Sequence, residues 1–191
     1  MYASSFNYLR AGSVAEAATL LQQNPGAKIL AGGHSLIPLL KLRLASPETV
    51  IDIGRVPELR GISVAGGLLT IGALTTHAEL AASPVVRDAA PALAEAAGHV
   101  GDPAVRNRGT IGGNVAHADP ASDLPAVLTA LGARFDINGP KGGRSVPASE
   151  FFQGMMATAV GEFDLLGEPV RVDTARVAHQ VAVERRHARQ N

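Results

Sequence analysis

The chain has no cysteine and no tryptophan among its 191 residues, and aromatic residues make up only 4 %. Without thiols it forms no disulfide, offers zinc no sulfur ligand, has no cysteine nucleophile and carries no iron–sulfur cluster of its own. An excess of one charge is also lacking. Seventeen Lys and Arg balance 17 Asp and Glu, so no net field draws the protein to nucleic acid or acidic lipid. Long hydrophobic runs are absent. The most apolar stretch, LIPLLKLRLA, is too short for a membrane span and carries Lys41 and Arg43. The start, MYASSFNYLR, lacks the charged-then-apolar pattern of a signal peptide. A cytoplasmic location is the expectation.

What remains is 46 % apolar residues with 21 glycines and 12 prolines, the composition of an α/β protein with many turns. Ser13-Val-Ala-Glu16 has capping-box spacing and opens a helix that stops at Asn24-Pro25-Gly26. KILAG (28–32) and TVIDI (49–53) read as strands, with a helix between them from Ser35. GISVAGGLLTIGAL reads as a hairpin around Gly66-Gly67. PVVRDAAPALAEAAGHV reads as a helix split at Pro91. SDLPAVLTAL predicts a helix capped by Ser122 or Asp123, ARFDIN and GRSVP predict two strands, and PASEFFQG a closing helical turn. The expected organisation is two lobes, 1–56 and 57–162, and a tail, 163–191, expected to be poorly ordered.

Two glycine pairs stand out, AGGHS at 31–35 and IGGN at 111–114. One reading is a tight turn. The other is a backbone stripped of Cβ atoms so that its N–H groups can approach an anionic ligand. Helix-end effects are worth only ~0.3–1 kcal/mol each, so holding a diphosphate would take several amides from both loops. Ser35, Thr110 and Asn114 add side-chain hydrogen bonds, and Asp123 could accept from a ribose or ribityl hydroxyl. No G-x-G-x-x-G follows a strand and no P-loop is present, so neither a Rossmann site nor a P-loop is supported. The six histidines lack metal-ligand spacing and no nucleophile elbow occurs; no metal ligand and no catalytic side chain is assigned. His77 is expected to start a helix and His117 to pack near the cofactor. Arg106 and Arg108 are read as structural or subunit-facing, with a phosphate contact as the alternative.

AGGHSLIPLLKLRLA (31–45) and DPAVRNRGTIGGNVAHADPASDLPA (102–126), supported by VIDIGRVPELRGI and IGALTTHAEL, resemble the FAD-binding medium subunit of molybdenum hydroxylases, the carbon monoxide dehydrogenase/xanthine dehydrogenase family. The resemblance covers roughly residues 4–162. It implies an α/β (α+β), two-lobed FAD-binding fold of the PCMH (vanillyl-alcohol-oxidase-like) type. It implies FAD contacts from Gly32, Gly33, His34, Ser35 and Leu36 on the first loop and from Thr110, Gly112, Gly113 and Asn114 on the second. Asp123 would face the flavin's hydroxylated chain, and Val100 the isoalloxazine ring. In such a subunit FAD passes electrons from a partner iron–sulfur small subunit, fed by a molybdopterin large subunit, to an external acceptor. GEFDLLGEPVRV half-resembles the next strand of the family, with Leu165 and Leu166 in place. Beyond it, DTARVAHQVAVERRHARQN departs, and a truncated or frameshifted product that lacks the family's C-terminal domain is the expectation. Two other functions compete: a non-catalytic remnant that binds nucleotide weakly or only docks on partner subunits, and a stand-alone flavin oxidoreductase.

Overall fold

A computed structural model describes residues 2–166 and 170–178. The N-terminal lobe is a three-stranded parallel sheet. Strand β1 (Asn7–Arg10) leads to helix α1 (Val14–Gln23), β2 (Lys28–Leu30), α2 (Leu36–Lys41) and β3 (Thr49–Asp52), in spatial order β1-β3-β2. Alternation is weak in β1, whose residues are mostly exposed, which is why sequence patterning shows two strands here and not three. At the start of α1 the Ser13 hydroxyl accepts from Glu16 N–H at 3.1 Å. The carboxylate of Glu16 returns to Gly12 N–H at 2.7 Å instead of to Ser13, so the expected box is displaced by one residue.

The second part begins with a hairpin, β4 (Ile62–Ala65) and β5 (Leu68–Ile71). Its turn places Gly66 and Gly67 at φ +58° and +78°, the left-handed pair that a two-residue turn demands. Helix α3 (His77–Ala82) carries a full Thr76/Glu79 capping box. Pro91 divides the long helical pattern into α4 (Pro84–Ala89) and α5 (Pro91–His99), with Ala90 outside helical geometry between them. A single turn, α6 (Pro103–Arg106), precedes α7 (Ile111–His117) and α8 (Asp123–Ala130). Strands β6 (Arg134–Gly139) and β7 (Gly142–Pro147) follow, then the turn α9 (Ala148–Phe151), the short pair β8 (Phe152–Gly154) and β9 (Ala157–Thr158), and finally β10 (Val170–Asp173).

The tail corrects an expectation. Residues 163–191 were expected to lack order, yet β10 is the middle strand of a five-stranded antiparallel sheet, β4-β5-β10-β6-β7. Val170 and Val172 are fully buried and Val177 nearly so, and Arg171 pairs with Asp136 of β6 at 2.7 Å. The half-resemblance of GEFDLLGEPVRV to a family strand is the one signal of β10 in the sequence, and its place between β5 and β6 makes VRV core. Residues 179–191 lie outside the described part of the chain. Leu165 exchanges backbone hydrogen bonds with Asn138 at 2.8 and 2.9 Å, and both Leu165 and Leu166 are buried.

One continuous apolar core joins both parts, from Ala17, Leu21 and Ile51 below the parallel sheet to Leu93, Leu124, Leu128 and Phe135 under the larger one. Phe135 and Phe151 pack in a tilted pair with ring centroids 4.5 Å apart, and Phe152 meets Phe151 edge-on at 5.1 Å. No described helix is long and apolar enough to cross a membrane.

Placing a charge in the central strand tests this arrangement. Val172→Asp, which would bury a carboxylate with no partner, should cost about 3–5 kcal/mol. The urea midpoint would fall far below that of the wild type if β10 is core, and would barely move if 170–178 were dispensable.

Candidate functional site

The site lies at the carboxyl ends of the parallel strands, where β2 leaves the sheet and turns into α2. Ala31–Ser35 form that turn. Gly33 sits at φ +79°, a conformation that strains any residue bearing a Cβ. His34 lies with Nδ1 3.2 Å from the Gly32 carbonyl, and Ser35 caps α2 without using its hydroxyl. Among the described residues nothing accepts the backbone N–H groups of Gly32, Gly33, His34, Ser35 or Leu36. Five consecutive donors with no protein partner among the described residues, each half-buried or exposed, make a run of partial positive charge of the kind that can take an anion.

Gly32 is where the two glycine motifs meet. A Cβ at this position would overlap the carbonyl of Arg108 and press on Gly109. Backbone lies directly on backbone. On the far side, a Cβ on Gly109 would come within 2.9 Å of the His77 ring, and His77 N–H donates to Gly109 C=O at 3.0 Å. The segment 108–109 is therefore a single layer between the first loop and the start of α3. Gly113 completes the junction: a Cβ there would lie 3.9 Å from that of Ala31.

The second motif is not a loop. Thr110 is the N-cap of α7 and Ile111-Gly-Gly-Asn114 its first turn, with the Thr110 side chain accepting from Gly113 N–H at 3.2 Å. Ile111 N–H donates to Thr75 C=O, Gly112 N–H to Ala73 C=O and Asn114 N–H to Thr110 C=O, all at 2.9–3.0 Å. These amides are spent inside the protein, so a pyrophosphate receives none of them. The reason for Gly112 changes accordingly. A Cβ there would sit 2.6 Å from the Ala73 Cβ and 2.9 Å from its Cα, so the glycine serves packing between α7 and the end of β5.

The remaining candidates fall around this junction. Asn114 and Ser122 bond reciprocally, Nδ2 to Oγ at 2.9 Å and Oγ to Oδ1 at 3.0 Å, and this ties α7 to the N-terminus of α8. Asp123, the exposed first residue of α8, is thereby held on the side of Asn114. Leu36 is half-buried at the start of α2. Val100 ends α5, half-buried, and its carbonyl is held by Arg106 Nη1 at 3.1 Å. Sequence reasoning passed over Gly109 and Ala73, and read Ser122 only as a helix cap and not as the partner of Asn114. The Thr76-x-x-Glu79 box was the one visible signal for the His77 end of the junction.

His77 is 3 % exposed and its Nδ1 has no hydrogen-bond partner. Burial, reinforced by the nearby charge of His34, pushes its pKa down to about 4. The ring is thus neutral at pH 7.

Two predictions follow from this geometry. Gly112→Ala should lower folding stability by about 2–4 kcal/mol through overpacking against Ala73, seen as a drop in melting temperature with no ligand added. For His77, the folded-state pKa lies below the unfolded value, so the unfolded chain binds more protons as pH falls from 6.5 towards 4. The wild type should lose about 3 kcal/mol across that window, whereas His77→Leu should show a flatter profile. Equal slopes in parallel denaturations would contradict it.

Comparison with known proteins identifies the family of the chain. The model of the family described as "FAD binding domain in molybdopterin dehydrogenase" matches residues 4–171, so the likeness runs into β10 and does not stop near 162. The carbon monoxide dehydrogenase medium chain of Hydrogenophaga pseudoflava is 51 % identical over 164 residues, 85 % of this chain and 57 % of that one. Its counterpart in Afipia carboxidovorans is 40 % identical over 186 residues, 97 % of this chain and 64 % of that one. A solved structure of the H. pseudoflava enzyme, lacking the Mo-pyranopterin moiety of its molybdenum cofactor, superposes with a TM-score of 0.88 at 49 % identity and covers 91 % of this chain and 60 % of that chain. The chain thus spans about three-fifths of the length of these relatives. With the family model matching residues 4–171, the chain belongs to the FAD-binding domains of molybdopterin dehydrogenases.

Proposed function

We propose that the chain is the FAD-binding, electron-transferring part of a molybdenum hydroxylase medium subunit. The observation that carries this reading is the run of five unpartnered N–H groups, Gly32 to Leu36, closed from behind by Arg108 and Gly109. None of these donors is buried, so water satisfies them in the free protein, and an anion could replace that water with several oxygens at once. A dinucleotide diphosphate has the oxygens to do so. The site therefore fits FAD, with the first loop as its diphosphate seat.

Around that seat the other residues take distinct parts. Ser35 offers a free hydroxyl to a phosphate oxygen. Asn114, braced by Ser122, and Thr110, whose hydroxyl hydrogen has no acceptor among the described residues, face the junction from the second motif. Asp123 would accept from the ribityl or ribose hydroxyls, and the apolar Val100 would lie against the ring system. Bound there, FAD supplies one- and two-electron redox chemistry that no side chain of this protein can provide. The chain's own share is to bind, orient and shield. Electrons would arrive from an iron–sulfur small subunit fed by a molybdopterin large subunit, which fits a chain with no cysteine, and leave for an external acceptor.

The test is direct. The purified chain, titrated with FAD and followed by flavin fluorescence and absorbance, should take up one FAD with a dissociation constant in the nanomolar to micromolar range, about −8 to −12 kcal/mol. A folded chain that stays colourless at saturating FAD would end this reading.

A further inference from the structure

We propose that Arg108 supplies the cation that balances the diphosphate seated on the first loop. The proposal rests on the FAD reading above and adds a residue to it. The nest of N–H groups carries only partial charge, and no histidine, lysine or arginine lies within the 31–36 turn except His34, which faces its own Gly32 carbonyl. A diphosphate brings full negative charge. Peptide dipoles at a loop compensate such a ligand weakly when water still reaches it, so a cation on a neighbouring segment would strengthen the seat.

The arginines around the junction are mostly committed elsewhere. Arg106 directs Nη1 to the Val100 and Gly101 carbonyls at 3.1 and 2.9 Å and serves to fold the segment before α7. Arg60 donates to the Gly54 carbonyl at 2.8 Å. Arg10 is paired with Tyr8 and Asp52. Lys28 stands at the start of β2, the opposite end of the strand from the loop. Arg108 differs on both counts that matter. Its own carbonyl is the group against which Gly32 packs, so the loop lies within reach of its side chain. That side chain is exposed and has no acceptor among the described residues. Arg55 is also exposed and has no partner among the described residues, but the turn that carries it meets the loop more loosely, at the Ala31 carbonyl 3.8 Å from a Cβ on Gly54, whereas the backbone of Arg108 lies directly on Gly32.

The contrast between Arg106 and Arg108, two residues apart, is informative. One is half-buried and consumed by backbone carbonyls; the other is left free beside the unpartnered amides. A guanidinium presents forked donors that match two phosphate oxygens at once, and from position 108 it would close the open side of the nest.

The experiment compares wild type, Arg108→Gln, Arg108→Lys and Arg55→Gln, titrating each with FAD and with ADP at low and at high salt. Melting curves check that all four are folded. If Arg108 holds the diphosphate, Arg108→Gln weakens FAD and ADP alike by about tenfold at low salt. The salt dependence of binding becomes shallower, Arg108→Lys recovers part of the loss, and Arg55→Gln stays within about twofold of wild type. The proposal is overturned, with the FAD reading intact, if wild type binds FAD and Arg108→Gln matches it. It is equally overturned if affinity falls without any change in salt dependence and without rescue by lysine, the signature of a structural role. A folded wild type that takes up no FAD overturns both.

Discussion

The backbone of Gly32 rests on the backbone of Arg108 and Gly109 with no side chain between them, and the site is organised around that contact. A strand-to-helix turn and a helix-to-helix link approach this closely only when Cβ atoms are missing, and the structure removes them on both faces of the layer. Gly32 clears the N-terminal face. Gly109 clears the face that meets the His77 ring. The result is a three-tier stack of first loop, segment 108–109 and α3, in which the amides of the first loop have no protein acceptor among the described residues. Widening the stack by one methyl group would move the loop off its support and scatter those amides.

This stacking also divides labour between two motifs that look alike on paper. In the first, the donors are left without acceptors and the glycines give the loop its left-handed turn at Gly33 and its close approach at Gly32. In the second, the donors are used up by Thr75, Ala73 and Thr110, and the glycines allow α7 to start against the end of β5. A third pair, Gly66-Gly67, only turns a hairpin. The dipeptide is the same and the physical demands differ: free amides, helix-to-strand packing, and positive φ at two successive residues. The consequence is that one motif leaves its donors without protein acceptors while the other spends its donors holding the segment packed behind them.

Support for that seat extends into regions remote from it. The five-stranded sheet depends on β10 to join the hairpin β4–β5 to β6–β7. Helix α8, which carries Asp123, buries Leu124 and Leu128 in the same core and is pinned at its start by Ser122 to Asn114. The buried, neutral His77 adds a pH-sensitive element directly behind the junction. Its ring gains no hydrogen bond at Nδ1, so its contribution is shape and neutrality and not a polar contact.

Much was legible in the residues alone because it depends on local rules. Caps at Ser13 and Ser122, the break at Pro91, the hairpin at Gly66-Gly67, and the strands 28–30 and 49–52 follow from turn chemistry and side-chain period, which act over a few residues. The long motifs around 31–45 and 102–126 carried the family resemblance for the same reason: they are contiguous. The sequence by itself therefore determined the kinds of element, the absence of self-ligated redox centres, and which residues could face a flavin nucleotide. The tertiary structure alone decided which of them keep free donors. It turned TIGGN from a loop into a capped helix, placed VRVD in the middle of a sheet, and set Arg108 beside an unpartnered nest. These outcomes depend on where a distant backbone lies, and hydrogen-bond partners more than 30 residues apart leave no periodic trace in the chain.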